Sequence, residues 1–218
     1  VTEDKPHIIV AMVEAYSDLS VLGNVSLTED VMANFNALCE ESIHGYACAS
    51  IFGGNTANSE WEFLTGNSMA FLPEGCVPYQ QYVQENVTAL PWVMRELGYT
   101  SIATHPYYAD GWSRNRIYDE LGFEESTFIE DYPQQDFLRK YVTDQEMVEF
   151  VLNKLKSNDT GKPLFLFGIT MQNHGGYTYE GPNYSQTIWL DRDSYEEEYK
   201  KAPQYLTCLK ETDDAVQY

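Results

Sequence analysis

Basic residues are scarce in this sequence. It holds 13 Lys and Arg against 34 Asp and Glu among 218 residues, and its formal net charge is −21. No run of basic residues is dense enough to follow a phosphate backbone, so we expect no nucleic acid partner. The excess of acid is typical of a solvated surface that keeps a protein soluble. Any anionic substrate must therefore be held by local positive groups or by a metal ion.

Long apolar segments are also missing. No stretch approaches the roughly 20 residues of a membrane-spanning helix, and no charged-then-apolar signal segment opens the chain. The sequence begins at Val1 without a methionine and ends at Tyr218 inside a helical pattern. We therefore expect a soluble piece of a longer protein, and the lack of an anchor says little about the parent.

Cysteine is rare, and its spacing excludes one class of site. Cys39, Cys48, Cys76 and Cys208 form no CxxC pattern, which argues against structural zinc. In an extracellular domain Cys39 and Cys48 are close enough in sequence to close a short loop. Free buried thiols are the open alternative.

What is present is ordinary globular material, with 43% hydrophobic and 14% aromatic residues. The length suits one large α/β domain over residues 1–218. Apolar, β-branched runs predict strands at 7–13, 46–52, 100–104 and 164–171, and the first of these suits a central strand covered on both faces. Residues 177–194 read as a loop.

Helical spacing alternates with these strands. We predict helices from a Thr28 cap to Gly45, over 57–64 after a glycine turn, from a Thr88 cap to 97, and from a capping box at Thr143 to 156. A last helix runs from about 195 to the end, where Pro203 allows a break. This alternation predicts a mostly parallel central sheet with helices on both faces.

Three chemically active side chains directly follow predicted strands, namely Glu14, His105 and His174. Ligand sites in parallel sheets lie beyond the carboxyl ends of the strands, so these side chains share one edge. Each also has an ordinary explanation, because a Glu after a strand is usually solvated and a lone His is often only hydrogen-bonded.

A glycine turn adds Thr56 to the candidates. Gly53 and Gly54 let the backbone approach a ligand, and Thr56 at a helix start favours an anion, although a Thr there is usually an N-cap. A Thr hydroxyl becomes a nucleophile when a metal or base lowers its pKa, and the Glu14 carboxylate could hold that metal. The composition of this edge indicates phosphoryl chemistry.

Several motifs, in order along nearly the whole chain, resemble the lipoteichoic acid synthase family of the alkaline phosphatase and sulfatase superfamily. They are KPHIIV (5–10) leading to Glu14, FGGNTANSE (52–60), FLTG (63–66), PYQQY (78–82), HPY (105–107), WSR (112–114), LGF (121–123) and MQNHG (171–175).

The resemblance implies an alkaline phosphatase/sulfatase-like fold and a Mn²⁺ (or Mg²⁺) enzyme in which Thr56 becomes covalently attached to glycerol phosphate. It implies Glu14 and Thr56 as metal ligands. The positions that it implies for holding the phosphoglycerol group are His105, Trp112, Arg114 and His174. In the ordinary alternative Trp112 is a core aromatic residue and Arg114 a surface helix charge.

The resemblance also implies the reaction partners. The donor is a phosphatidylglycerol-like lipid, and the acceptor is a glycerol phosphate polymer or a glycolipid, as in lipoteichoic acid or related envelope glycan synthesis. The sequence does not choose between a polymerase, a decorating transferase and a hydrolase. We expect a membrane-anchored bacterial parent protein acting at the extracellular face of the cell membrane.

The sequence departs from the family pattern in one important respect. Family members complete the metal site with an Asp-His pair, and no Asp-His dipeptide occurs here. Residues 211–215 (ETDDA) resemble the helix that precedes that pair, so we expect a domain incomplete at its C-terminus, with metal weakly bound or absent and poor turnover. Asp110 could contact a glycerol hydroxyl.

Four rival functions have to be weighed against this one. A sulfatase needs a Cys-x-Pro/Ala-x-Arg setting, and the segment CASIF (48–52) lacks the Arg. A two-metal phosphatase would need more carboxylates near the first strand, whereas a phosphodiesterase using Thr56 stays open. A non-catalytic binder of phosphoglycerol polymers is the alternative from another class, and retention of both Glu14 and Thr56 argues against it.

Overall fold

The structure is a computed structural model that describes residues 5–23, 25–85, 87–132, 135–190, 199 and 201–217, without the side chain of residue 20. The chain divides into two compact units. The first unit comprises Val1–Met12, Tyr46–Tyr132 and Val151–Ile169. The second unit comprises Val13–Gly45, Pro133–Phe150 and Thr170–Tyr218.

Six strands and seven α-helices occur in the described residues. The strands are β1 (Ile8–Met12), β2 (Thr100–Thr104), β3 (Glu125–Thr127), β4 (Phe137–Leu138), β5 (Tyr141–Val142) and β6 (Leu164–Ile169). The α-helices are α1 (Ala33–Glu41), α2 (Thr56–Thr65), α3 (Pro78–Gln81), α4 (Leu90–Glu96), α5 (Arg114–Leu121), α6 (Asp144–Lys156) and α7 (Ala202–Val216). Short 3-10 turns lie at Leu19–Leu22, Met69–Phe71, Gly111–Ser113 and Ile129–Asp131.

The first unit is built on a four-stranded parallel sheet in the order β1-β6-β2-β3. Alternate residues of β6 point to opposite faces. Phe165 and Phe167 belong to a large core cluster that includes side chains of α2, α4 and α5. Leu164 and Leu166 belong to a second cluster with Val151 and Leu155 of α6. The predicted parallel sheet with helices on both faces is therefore confirmed.

The prediction that the first strand is central is wrong. β6 is the strand buried along its whole length, whereas β1 forms one edge of the sheet in the part of the chain that the structure describes. Ile8, Val10 and Met12 pack on the large core cluster, but Ile9 on the opposite face is 48% exposed. The unbroken apolar run of this strand predicted that both faces of β1 are covered, whereas only one face is covered.

Residues 46–52, predicted to form a strand, form none. The segment joins none of the strands that the structure describes, and its aromatic side chains Tyr46 and Phe52 are exposed. Hydrophobic content alone had favoured a strand, but a strand also needs a neighbour for its backbone groups. The bounds of β2 agree with the prediction, and β6 ends two residues before the predicted strand end.

The helix predicted from Thr28 begins later, at Ala33. The Thr28 hydroxyl accepts a bond from the Trp189 amide (3.1 Å) instead of capping the helix. The first amides of α1 are capped from α7: the Asp213 carboxylate accepts bonds from the amides of Asn34 and Phe35, each at 2.9 Å. This cap comes from a residue far along the chain, so local sequence cannot reveal it.

The other predicted helices match with small changes. α2 begins one residue early, at Thr56, and α6 begins after Thr143, whose hydroxyl accepts a bond from the Glu146 amide (3.4 Å). α4 begins at Leu90, with Ala89 and not Thr88 at the N-cap, because Pro91 suits the first helical turn. α7 begins at Ala202 with Pro203 in its first turn, and residues 195–198 and 200 lie outside the described residues.

The second unit has its own small core and a two-stranded antiparallel sheet of β4 and β5. The core joins the segment before α1 to α7 through Val31, Met32, Ile188, Leu206 and Leu209. All four cysteines are free thiols, so the predicted alternative of a short disulfide loop is not realised. Among the described helices, none is long and apolar enough to cross a membrane.

Candidate functional site

A strained turn presents Thr56 at the start of α2. Gly53, Gly54 and Asn55 have φ angles of 73°, 114° and 58°, three consecutive residues in a region that L-residues rarely adopt. Thr56 is the first helical residue, and it is partly exposed. The first amides and the positive dipole end of a helix favour an anion at such a position. The turn therefore suits a hydroxyl that meets a phosphate.

One helical turn after Thr56, α2 buries a carboxylate. Glu60 is 0% exposed and pairs with Arg114 of α5, which is 3% exposed. The Arg114 Nη2 donates to Glu60 Oε1, and Nε donates to Oε2 at 3.1 Å. This bidentate geometry is the strong form of an arginine–carboxylate pair. Arg114 is thus a buried residue and not the surface helix charge of the ordinary alternative.

Two tyrosines complete this buried pair. The hydroxyls of Tyr79 and Tyr118 both donate to Glu60 Oε2, at 3.3 and 3.1 Å. Burial and the Glu60 charge raise the pKa of both tyrosines well above the ordinary value. Burial would lower the pKa of Arg114, but the Glu60 carboxylate raises it above the ordinary value. Arg114 therefore stays charged. Its Nε and Nη2 donate to Glu60, and its third nitrogen, Nη1, donates to Gly111 O at 3.4 Å.

Trp112 lies in a second strained turn, directly before Arg114. Trp112 and Ser113 have φ angles of 55° and 61°, and neither is glycine. Such conformations cost energy and persist where the surrounding structure enforces them, often at functional sites. Trp112 is partly buried against the large core cluster, so it also packs as a core aromatic residue, which is the structural role that the sequence left open.

His105 follows β2, as predicted, and is buried. Its Nδ1 lies 3.0 Å from the Ile169 carbonyl at the end of β6. A carbonyl oxygen only accepts, so Nδ1 carries a hydrogen. In the neutral ring Nε2 is then an acceptor, and it becomes a donor to a phosphate only when the ring is protonated.

Glu14 and His174 lie in the second unit. The Glu14 amide donates to the Thr170 hydroxyl (2.9 Å), which fixes the turn after β1. His174 is exposed, and its Nδ1 lies 3.2 Å from the Tyr141 hydroxyl. The predicted site residues are thus divided between the two units. Glu14 and His174 belong to the second unit, and the first unit contains Thr56, His105, Trp112 and Arg114.

A buried carboxyl also supports the second unit. Asp144, which is 2% exposed, accepts bonds from the Gln172 amide (3.3 Å) and the Thr212 hydroxyl (2.6 Å). Burial raises the pKa of Asp144 to about 6, although these hydrogen bonds oppose the shift, and the Glu14 charge adds a smaller rise. Asp144 thus ties the start of α6 to the segment that carries His174.

The candidate metal ligands of this chain are few. Glu14 and Thr56 offer a carboxylate and a hydroxyl, the oxygen ligands that hard cations prefer. Two such groups fall short of a six-coordinate shell, and the described residues contain no group of three or more His, Cys, Asp or Glu side chains that could hold a metal ion. The described residues therefore do not form a complete metal site.

Three supporting residues were missed in the sequence. Glu60 follows Thr56 by one helical turn on the face that buries Ala57 and Leu64, so helical periodicity could have revealed a buried carboxylate. Asp144 was identified only as part of a helix start. Arg139, described below, carries no local signal.

The parallel sheet with helices on both faces is an α/β fold of the alkaline phosphatase and sulfatase type. A family profile described as Sulfatase matches residues 6–218. The chain belongs to the sulfatase family. The resemblance to lipoteichoic acid synthases is confirmed, since the chain is 25% identical over 158 residues to lipoteichoic acid synthase 1 of Bacillus subtilis (strain 168), with 70% of this chain and 24% of that protein covered.

A second relative is more similar in sequence. A protein of Rhizobium meliloti (strain 1021), provisionally assigned to cyclic β-1,2-glucan modification, is 34% identical over 213 residues, which is 97% of this chain. The chain spans only 32% of that protein. The chain therefore corresponds to about a third of the length of its Rhizobium relative.

Two solved structures share the fold. The Streptococcus pyogenes phosphoglycerol transferase GacH, solved in complex with sn-glycerol-1-phosphate, has a TM-score of 0.81 at 23% identity, with 97% of this chain and 56% of that chain covered. The C-terminal periplasmic domain of EptC from Escherichia coli, solved in complex with zinc, has a TM-score of 0.63 at 13% identity, with 98% and 58% covered. At these identities the likeness concerns the fold.

Proposed function

We propose that the chain is the catalytic region of a phosphoglycerol transferase of the bacterial envelope. It transfers glycerol phosphate from a phosphatidylglycerol-like lipid to an acceptor hydroxyl, at the extracellular face of the membrane where such a donor lies. The similarity to the Rhizobium protein favours an envelope glucan as acceptor. The similarity to a lipoteichoic acid synthase favours a glycerol phosphate polymer or glycolipid as the second acceptor class.

The geometry of α2 carries this proposal. Thr56 opens the helix after three positive-φ residues, and the Glu60–Arg114 pair lies one turn further along the same helix. The helix start offers amide donors to a phosphate, and the pair fixes a guanidinium on the neighbouring helix α5. A nucleophilic hydroxyl and a fixed guanidinium are two of the parts that phosphoryl transfer uses.

The proposed reaction proceeds in two displacements. Thr56 Oγ1 attacks the donor phosphorus, the new O–P bond forms, and the bond to the diacylglycerol oxygen breaks. That oxygen takes up a proton as diacylglycerol leaves, and the proton of the Thr56 hydroxyl is released. The acceptor hydroxyl then attacks the same phosphorus, loses its proton, and displaces the Thr56 oxygen, which is reprotonated.

The remaining candidates bind the transferred group. Arg114 donates hydrogen bonds to the phosphoryl oxygens, His105 and His174 bind the same group through their ring nitrogens, and Trp112 packs on the glycerol. Mn²⁺ or Mg²⁺ is the proposed ion, with Glu14 and Thr56 as the ligands from this chain. Because two oxygen donors are too few for a tight site, we expect weak binding by these residues alone.

The test is a release assay with the full-length product of the gene. The protein is incubated with Mn²⁺ and a phosphatidylglycerol that carries a fluorescent acyl chain, and the release of diacylglycerol is measured. Thr56→Ala removes the nucleophile, while Thr56→Ser keeps a hydroxyl in the same turn and serves as the matched control. We expect release by the wild type, reduced release by Thr56→Ser, and none by Thr56→Ala.

Acceptor identity is decided in the same assay with a labelled glycerol head group. Label found on cyclic β-1,2-glucan supports the favoured acceptor, and label on a glycerol phosphate polymer supports the second. Free labelled glycerol phosphate as the sole product indicates a phosphodiesterase. Release that persists in Thr56→Ala would remove Thr56 from the mechanism, and binding of glycerol phosphate without release would indicate a binding module.

A further inference from the structure

Arg139 occupies a position where glycine is normally favoured. It is the first of two residues that join β4 to β5, and its φ angle is 59°. Two-residue hairpin loops that need a positive φ at this point usually take Gly, because a side chain is strained there. A strained residue with a long side chain is a reason to ask what that side chain does.

The Arg139 side chain is buried although it is charged. It is 4% exposed, and the structure shows no carboxylate paired with it in the described residues. Its guanidinium lies 5.6 Å from the centre of the Tyr141 ring and 5.1 Å from that of Tyr177. Aromatic faces attract cations but do not replace a carboxylate. Among the described residues, its Nε has no hydrogen-bond partner.

The Arg139 guanidinium also interacts with the Cys208 thiol of α7, and two of its hydrogen bonds converge on one loop. Nη2 donates to the carbonyls of Gln172 (2.6 Å) and His174 (3.0 Å). The same loop is held from its other side, because the Gln172 amide donates to Asp144. Tyr141, two residues after Arg139, places its hydroxyl 3.2 Å from His174 Nδ1. The hairpin thus holds both the backbone and the ring of His174.

We propose that Arg139 is a positioning residue for substrate binding: its guanidinium fixes the 172–174 loop so that the exposed His174 ring is held ready for the anionic phosphoglycerol group. The ligand part of this inference rests on the proposed function. The buried charge also supplies positive potential beside His174 in a chain whose net charge is −21.

The variants are chosen so that the hairpin survives. Arg139→Gly removes the side chain and keeps a residue that accepts a positive φ, so the turn itself is not strained. Arg139→Lys keeps the charge but cannot donate in the same planar, forked way. Arg116→Ala is the matched control, because Arg116 also donates to two main-chain carbonyls, Val83 O (2.9 Å) and Tyr79 O (3.2 Å), in the first unit.

The first measurement needs no ligand. Hydrogen exchange at the His174 amide, which donates to Met171 O at 3.0 Å, reports on the loop. We expect Arg139→Gly to speed this exchange about tenfold or more, since bonds from a charged donor are lost. Amides in β6 should be unchanged in Arg139→Gly, and the 172–174 loop should be unchanged in Arg116→Ala. Unchanged exchange at His174 in Arg139→Gly would overturn the proposal.

The second measurement is the dissociation constant for sn-glycerol 1-phosphate. Arg139→Gly should weaken binding about tenfold or more while Arg116→Ala binds as the wild type does, and methylguanidinium added to Arg139→Gly should restore part of the loss. Arg139→Lys should fall between the two. Equal binding by Arg139→Gly and the wild type overturns the proposal. If the wild type itself fails to bind, the proposed function fails, and the exchange measurement still decides the role of Arg139.

Discussion

Removing the Glu60 carboxylate is the most informative perturbation of the first unit. Glu60→Ala would leave the buried Arg114 guanidinium without its partner and take the acceptor away from two tyrosine hydroxyls. Breaking a buried ion pair from one side costs about 3–5 kcal/mol, because the remaining charge is left unpaired in a low-dielectric interior. In a domain of this size that corresponds to a fall in Tm of roughly 10 °C.

Glu60→Gln separates charge from shape. The amide keeps the volume of the carboxylate but is neutral, so the buried Arg114 guanidinium loses its counter-charge. We therefore expect a loss of about 3 kcal/mol in this variant as well. The matched control is Glu62→Gln on the same helix, whose carboxylate is partly exposed and accepts a bond from the Met69 amide at 2.6 Å. There we expect a loss of about 1 kcal/mol.

Urea unfolding followed by circular dichroism measures these free energies. A double-mutant cycle that adds Arg114→Met to Glu60→Gln gives the coupling between the two side chains, and we expect at least about 2 kcal/mol. Glu60→Gln within about 0.5 kcal/mol of the wild type would refute the reasoning, since surface substitutions have effects of that size. It would mean that the pair is not buried as the structure describes.

Three further substitutions test other parts of the structure. Asp144 keeps its proton in the folded chain up to about pH 6, whereas its ordinary pKa is 3.8, so its contribution to stability is complete below pH 3.8 and lost as the pH rises through 6. Relative to Asp144→Asn, the free energy of unfolding of the wild type should fall by on the order of 3 kcal/mol from pH 4 to pH 7, and parallel profiles would contradict this shift. Gly122→Ala should cost about 2–4 kcal/mol in urea unfolding, because φ is +98° and the new Cβ would lie 2.6 Å from the Trp92 ring. The control Gly98→Ala, with φ +90° and open space, should cost about 1 kcal/mol, and equal losses would exclude the steric clash. Ser113→Gly should raise the free energy of unfolding by about 0.5–1 kcal/mol and so raise Tm slightly, because φ is 61° and the Ser113 side chain makes no capping bond. A lower Tm would show that the Ser113 hydroxyl stabilises the fold.

Local chemistry made part of the fold predictable. The capping Thr143 and the amphipathic run after it predicted α6, and the glycine turn before Thr56 predicted the start of α2 within one residue. The β-branched and apolar content of 100–104 and 164–171 predicted β2 and β6. In these elements local propensity and the tertiary structure favour the same state.

Long-range contacts determine the two features of the fold that were predicted wrongly, namely the position of β1 in the sheet and the start of α1. Whether β1 is central or at an edge depends on which strands pair, and its apolar run is compatible with both. The start of α1 depends on Asp213, a carboxylate near the other end of the chain. A tertiary partner of this kind leaves no local pattern.

The candidate site shows the same division. Thr56 opens α2 and His105 follows β2, and sequence patterns predict both elements, so the positions of these two residues in the fold were predictable. The partners of Arg114 and His174 were not. Glu60 and Arg139 reach those residues through side chains that fold back from other elements, and charge alone would have placed both on the surface.

The central claim is that Thr56 carries the transferred group, and one measurement tests it directly. The full-length protein is incubated with Mn²⁺ and phosphatidylglycerol, quenched in acid, digested, and mapped by tandem mass spectrometry. We predict a glycerol phosphate adduct on the peptide that contains Thr56, at the Thr56 side chain, and none in Thr56→Ala. Diacylglycerol release with an unmodified Thr56 peptide, or an adduct on another residue, would contradict the account.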